Sequence, residues 1–189
     1  MARGTLFVIS APSGAGKSTL IEEIRPLFPD MLYSVSCTTR APRENEQEGV
    51  HYYFLDGRRF DALVKAEAFL EWKEVHGNRY GTPAPPVKSA LASGRCMVLD
   101  IDVQGALQVF EKIDESVGIF ITVPSMDVLE QRLRQRGSDS EESIRTRLEN
   151  APREMELGAA YEYRIVNDSL EKAVAELAAV IEKESRCGR

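Results

Sequence analysis

The sequence predicts an α/β fold built on one main core sheet, and three observations point to it. Strand-like apolar runs alternate with helix-like periodicity along the chain. The first such run breaks into a glycine-rich turn that opens a helix. A length of 189 residues with 43% hydrophobic content suits one good-sized core with small appended lobes.

Residues 5–10 (TLFVIS) are rich in β-formers and read as a first, buried strand. Residues 18–27 read as the helix that follows. It carries Leu20, Ile21, Ile24 and Leu27 on one face and stops near Pro29. Residues 96–99 form another buried strand ending at Asp100, residues 117–123 a third and residues 163–166 a short fourth. The last helix has an apolar stripe of Leu170, Val174, Leu177 and Ile181. Asp168, with Glu171 three residues later, fits a capping-box start. Two segments break this rhythm. Residues 35–85 hold strand-like pieces at 52–55 and 70–75, a helix around 60–66, and proline-rich edges at Pro42 and at 83–86. Residues 127–157 are helical and charged, with a break at Gly137, Ser138, Asp139 and Ser140. Both segments read as insertions into the core sheet.

Charge and composition narrow the function classes. Lys and Arg number 24 against 30 Asp and Glu, a formal net charge of -6. That balance argues against a general nucleic-acid binder, whose affinity rests on a basic surface neutralising phosphates. No apolar run approaches the roughly 20 residues of a membrane span. The apolar start is too short for a secretory leader and runs straight into Gly14, Ala15, Gly16 and Lys17. Three widely spaced cysteines, Cys37, Cys96 and Cys187, give neither a disulfide framework nor a metal quartet. Two histidines, His51 and His76, leave little material for zinc. The compartment predicted is the reducing cytoplasm.

Residues 8–19, VISAPSGAGKST, look like a phosphate-binding loop, yet the pattern G-x-x-x-x-G-K-S/T fails at its first position, Ala11. Successive backbone N–H groups must point at the anion, and a helix must begin with its positive end facing it. Gly14 and Gly16 remove side chains where the backbone curls. Lys17 supplies a cation for the terminal phosphates and Ser18 a hydroxyl for Mg²⁺. The first position precedes the curl, so alanine serves there if its φ is negative. Pro12 biases Ala11 toward an extended conformation.

MVLDID at residues 97–102 is an apolar strand closed by acids. Asp100 resembles the acidic partner that holds a metal-bound water in phosphate-loop enzymes. Asp100 and Asp102, two apart, project to one face of a strand. The pair equally fits two solvated aspartates. Five arginines, Arg132, Arg134, Arg136, Arg145 and Arg147, crowd one short charged segment. Arg132 and Arg136 stack on one helical face, a repulsion of a few tenths of a kcal/mol that an anion between them would relieve. Arg134 and Arg145 read as solvated partners of Glu130, Glu141, Glu142 and Glu149.

SVSCTTRAPRENEQEGVHYYF, at residues 34–54, resembles the GMP-binding segment of guanylate kinases. The resemblance continues through FLEW (69–72), GNRYGT (77–82), LDIDVQG (99–105), RGSDSEESIRTRL (136–148) and IVND (165–168), and so covers essentially the whole chain. The combination is far more specific than any one motif, and the phosphate loop of the family also commonly has Ala where the general pattern wants Gly.

The resemblance implies a phosphate-loop nucleoside monophosphate kinase fold: a central parallel sheet flanked by helices, an inserted GMP-binding lobe and a helical lid. The implied division is a core of 1–34, 86–126 and 158–189, a GMP lobe of 35–85 and a lid of 127–157. The implied activity is Mg²⁺-dependent transfer of the ATP γ-phosphoryl group to GMP. Ser13, Gly14, Ala15, Gly16, Lys17, Ser18 and Thr19 would hold ATP, with Ser18 and, through water, Asp100 on Mg²⁺. Arg40, Arg43, Tyr52 and Tyr80 match the residues that hold the GMP phosphate, a dianion suited to arginine. Ser36, Glu71, Thr82 and Asp102 match the guanine-reading set. Glu71 can accept from guanine N1–H and N2–H₂ together, and adenine lacks both donors, so most base selectivity is assigned to Glu71. Read without the family, Glu71 is an exposed strand carboxylate beside Trp72.

Lys17, Arg40, Arg132, Arg136 and Arg147 form the implied catalytic set. The acceptor is an ionised phosphate oxygen, so no general base is required, and His51 and His76 are bystanders. Asn167 matches a residue beside the adenine of ATP, though capping of the last helix fits as well. Two rival readings remain: a non-catalytic module that uses the GMP lobe to bind peptides, and a kinase for another mononucleotide.

Overall fold

The computed structural model describes residues 3–75, 77–135 and 140–185. Five strands form a parallel sheet in the order β2-β7-β1-β8-β9: Leu32–Tyr33 (β2), Met97–Asp100 (β7), Leu6–Ser10 (β1), Ser116–Thr122 (β8) and Tyr163–Val166 (β9). Central strand β1 is buried along its whole length, as expected when helices cover both faces of a parallel sheet. Phe7 and Ile9 enter a core with Leu20, Ile21, Ile24, Leu177 and Ile181. Leu6 and Val8 point the other way, to Val87, Leu91, Val109 and Phe120. Each such large side chain, fully withdrawn from water, stabilises the fold by about 1.5–3 kcal/mol.

A second, four-stranded sheet lies between β2 and β7 in the chain, in the order β4-β3-β6-β5. It comprises Ser36–Thr38 (β3), Tyr52–Phe54 (β4), Phe69–Val75 (β5) and Asn78–Pro83 (β6). The β3–β4 pair is parallel and the rest antiparallel. Helix Gly57–Lys65 (α2) covers it through Phe60, which stacks on Phe69 at 4.7 Å between ring centroids. Asp56 caps α2 by accepting from the Arg59 N–H at 2.8 Å.

Helices Lys17–Ile24 (α1), Ala84–Ala92 (α3), Val103–Lys112 (α4) and Leu170–Glu184 (α7) flank the parallel sheet. Between β8 and β9 run Met126–Gln135 (α5) and Glu141–Leu157 (α6). Ser140 caps α6 by accepting from the Ser143 N–H at 3.2 Å.

Several sequence expectations are corrected here. Leu27 lies in a 3₁₀ turn after α1 and is 55% exposed, because the chain leaves the helical phase that would have buried it. Ser169, not Asp168, occupies the N-cap of α7 and makes no side-chain cap bond. The buried stripe of α7 is Ala173, Leu177, Val180 and Ile181, with Leu170 exposed at the first turn. The prolines at 83–86 open helix α3, since proline fits the first helical turn, where no N–H partner is needed. Asp102 falls beyond β7 and caps α4. Cys37 is free and buried, and Cys96 is disulfide-bonded, although the wide cysteine spacing suggests no disulfide framework. Arg136, His76, Cys187 and most of the predicted 137–140 break lie outside the described residues.

Candidate active site

The turn between β1 and α1 has the geometry a phosphate loop needs. Gly14 and Gly16 sit at φ of 93° and 88°, a left-handed backbone that favours glycine. Ala11 is buried and has no positive φ, so alanine costs nothing at that position. The Ala15 N–H closes the turn onto the Pro12 carbonyl at 3.1 Å. Lys17 is the first residue of α1, at the helix end that favours anions. Its ammonium bonds the Asp100 carboxylate and donates to the Ile101 carbonyl at 3.4 Å. Burial lowers Lys17 to about 8, with Asp102 pulling the other way.

The loop is braced from the far edge of the sheet. Buried Asn167, just after β9, donates from its Nδ2 to the Ala15 carbonyl at 2.8 Å. Its backbone N–H donates to the Thr122 carbonyl at 2.8 Å. Ser169, not Asn167, holds the N-cap of α7, and the Asn167 amide supports the loop instead. From the α5–α6 pair, Arg132 donates to the Ala15 carbonyl at 3.4 Å and the Asn167 carbonyl at 2.8 Å. Arg147 donates to the Ser13 hydroxyl at 3.1 Å. Arg134 instead bonds Glu130 and Glu141, and Arg145 pairs with Glu149, as the charge pattern predicts.

Glu154 of α6 lies in the same cavity as Gly14, Gly16, Lys17, Ser18, Thr19 and Arg132. Burial raises its carboxyl above the ordinary range, against a hydrogen bond from the Ser13 backbone.

A second cavity, of about 520 Å³, opens between the two sheets and is lined by Ser36, Tyr52, Glu71, Tyr80, Asp102 and Lys73 among others. Glu71 is 5% exposed, not the exposed strand carboxylate that its neighbours alone would predict. Its Oε1 accepts from the buried Thr82 hydroxyl at 2.6 Å, a cross-strand bond between β5 and β6. Desolvation raises the Glu71 carboxyl above its usual range, against the Thr82 bond. Asp102 pairs with Lys73 and accepts from the Gly105 N–H at 2.9 Å.

Beside this cavity Arg40 lies 5.6 Å over the Tyr52 ring and donates to Glu46 at 2.7 Å and to the Ala41 carbonyl at 2.8 Å. The Arg43 backbone N–H donates to the other Glu46 oxygen at 2.8 Å. Arg43 is exposed and joins this group through its backbone. These bonds hold Glu46 down at about 2.

The two cavities share Ser13, Lys17, Ser18 and Asp102. A turn with phosphate-loop geometry thus adjoins a buried carboxylate pocket.

A family model for guanylate kinase matches residues 3–184. The chain belongs to the guanylate kinase family. It is 48% identical over 184 residues to the guanylate kinase of Carboxydothermus hydrogenoformans, covering 97% of this chain and 90% of that relative. The guanylate kinase of Rhizobium meliloti is 49% identical over 183 residues, covering 96% and 84%. The crystal structure of guanylate kinase from Anaplasma phagocytophilum superimposes with a TM-score of 0.76 at 33% identity, covering 100% of this chain and 89% of that one.

Four residues at the site escaped the sequence reading: Glu46, Lys73, Glu154 and Gly105. Lys73 was within reach, since it alternates with Glu71 on one strand face. Glu46 lies three residues beyond Arg43 in a turn closed by its own N–H, at 3.0 Å from the Arg43 carbonyl. Glu154 carries no local signal, and Gly105 closes the LDIDVQG motif, which marks the position but not its contact with Glu71.

Proposed function

We infer that this member of the guanylate kinase family transfers the γ-phosphoryl group of ATP to GMP, giving ADP and GDP. The observation that carries the reading is the shared wall of the two cavities, Ser13, Lys17, Ser18 and Asp102. It lets a donor phosphate on the loop meet an acceptor phosphate from the second sheet. Residues 1–34, 86–126 and 158–189 are the ATP-binding core, 35–85 the GMP lobe and 127–157 the lid.

In this assignment the loop from Ser13 to Thr19 cradles the ATP phosphates, with Asn167 supporting the loop from behind. Arg40, Arg43, Tyr52 and Tyr80 hold the GMP phosphate, and Ser36, Glu71, Thr82 and Asp102 read the base. Glu46 fixes one edge of Arg40 and leaves the remaining N–H groups for phosphate. Thr82 spends its proton on Glu71, which keeps that carboxylate an acceptor toward guanine. Transfer rests on alignment and charge neutralisation by Lys17, Arg132, Arg136 and Arg147. The acceptor oxygen is already ionised, so no side chain has to remove a proton.

Ser18 and Asp100 line the same cavity and offer two hard oxygen donors. They fit Mg²⁺ that arrives with the nucleotide, keeps several waters and takes few protein ligands. Ser18 would hold the ion directly and Asp100 through water, and its charge would help neutralise the phosphates. Soluble nucleotides as both substrates favour a cytoplasmic enzyme without nucleic-acid or membrane partners, and no helix among the described residues is long and apolar enough to cross a membrane.

A coupled assay offering GMP, dGMP, AMP and UMP with ATP tests the reading. Turnover should favour the guanine nucleotides. A preference for AMP or UMP, or no turnover at all, would overturn it. Glu71→Gln should erase most of the preference for GMP over AMP, because the amide places a donor against the guanine donors.

A further inference from the structure

We infer that Gly105 is a positioning residue for base selectivity: its missing side chain is the space in which the Glu71 carboxylate sits. The inference rests on the assignment of Glu71 to the guanine.

Gly105 lies in the first turn of α4 and is buried. It has no positive φ, so its backbone does not require glycine. Its N–H donates to Asp102 Oδ1 at 2.9 Å, a bond that any residue except proline could make. What excludes a side chain is Glu71. A Cβ on Gly105 would fall 2.8 Å from Glu71 Oε2, 3.1 Å from Cδ and 3.4 Å from Cγ. The other oxygen of that carboxylate is the one bonded to Thr82. Glu71 is thus held from two sides, by a hydroxyl on β6 and by the bare backbone of α4.

Alanine favours a helix over glycine by about 1 kcal/mol. The substitution that the helix prefers is therefore the one that evicts the carboxylate. The obstacle is the far end of a flexible side chain, so Glu71 swings away and the helix stays. A displaced Glu71 loses its Thr82 bond and leaves the position from which it accepts N1–H and N2–H₂. Gly105 does not line the phosphate-loop cavity, so the ATP side is unaffected.

The test is Gly105→Ala in the full chain, assayed with ATP against GMP, inosine monophosphate and AMP. KM for GMP should rise roughly 10- to 100-fold, the usual weight of a hydrogen bond to a charged group. The preference for GMP over inosine monophosphate, which lacks the 2-amino donor, should shrink by a similar factor. KM for ATP should stay within about 2-fold, and the melting temperature should stay close to the parent's, the gain in helix propensity offsetting the lost Thr82 bond. Glu71→Asp, one methylene shorter, retreats from the added methyl. It should recover part of the GMP preference in the Gly105→Ala background while costing preference in the parent. Additive losses in that double variant, an unchanged KM for GMP, or insoluble Gly105→Ala protein would each overturn the role of Gly105. Glu71→Gln separates this from the underlying assignment. If it erases GMP preference while Gly105→Ala does not, only the positioning role falls. If it leaves the preference intact, the base assignment itself falls.

Discussion

In the proposed function, recognition at the β1–α1 end of the cleft is a property of backbone. Gly14 and Gly16 hold the left-handed turn, and the buried amide of Asn167 supports it from below. At the second sheet, the proposed recognition is a property of side chains held by other side chains. Thr82 and Lys73 attend Glu71 and Asp102, and Glu46 attends Arg40. A backbone cradle fails when a Cβ is added at Gly14 or Gly16, whereas a side-chain network loses function one partner at a time. Substitutions at the two ends should therefore differ in kind: abrupt and linked to stability at the first, graded and specific to GMP at the second.

Lys17→Met probes that separation most strongly. Removing a preorganised cation from the transfer path should lower kcat about 10²- to 10³-fold. KM for GMP should move little, and a rise in it as large as the fall in kcat would show that the two ends are one unit. The same variant has a pH signature. Burial lowers Lys17 to about 8 from 10.5, so between those values the unfolded chain holds a proton that the folded chain has released. Stability of the parent should rise with pH across that window, and melting temperatures between pH 7.5 and 10.5 should lose that slope in Lys17→Met.

Gly16→Ala comes next. A left-handed alanine costs about 1–2 kcal/mol, or roughly 2–8 °C in melting temperature for a chain of this size. The added Cβ would also lie 2.5 Å from Asn167 Nδ2, so the brace must give way. KM for ATP should rise with the stability loss. An unchanged melting temperature would remove the claim that this end depends on backbone.

Thr82→Val should be milder and confined to one substrate. It leaves the buried Glu71 carboxylate without its hydroxyl, which should raise KM for GMP about 10-fold and leave KM for ATP unchanged. Glu46→Gln should act least. The amide keeps a carbonyl acceptor for Arg40, so KM for GMP should rise only about 2- to 5-fold. Glu46 is held at about 2 against an ordinary 4.5. Its contribution is therefore present above the unfolded value and lost as pH falls toward 2. Acid unfolding monitored from pH 5 to 2 should be shallower in Glu46→Gln.

The same contrast explains how much was legible in the chain. The buried strands β1, β7 and β8 declare themselves as apolar runs because both of their faces are covered, whereas edge strand β9 buries only Ile165. The phosphate loop is visible because glycine and lysine spacing is dictated locally. Strands β2 and β3, two and three residues long, carry too little periodicity to register. Helix α3 hides behind the prolines that open it. At the second sheet the motif residues of the family could be named, but not how they are held. Glu71 reads as exposed until β6 and α4 close over it.

Local chemistry settled the alternation of strands and helices, the glycine-dependent turn, the cation at its helix and the family motifs. Each depends on residues a few positions apart, where backbone geometry alone brings groups together. The fold decided that Glu71 is buried against Gly105, that Asn167 braces Ala15 across 152 positions of chain, and that Arg132 joins them. Such contacts depend on where whole elements pack, and no local spacing encodes that.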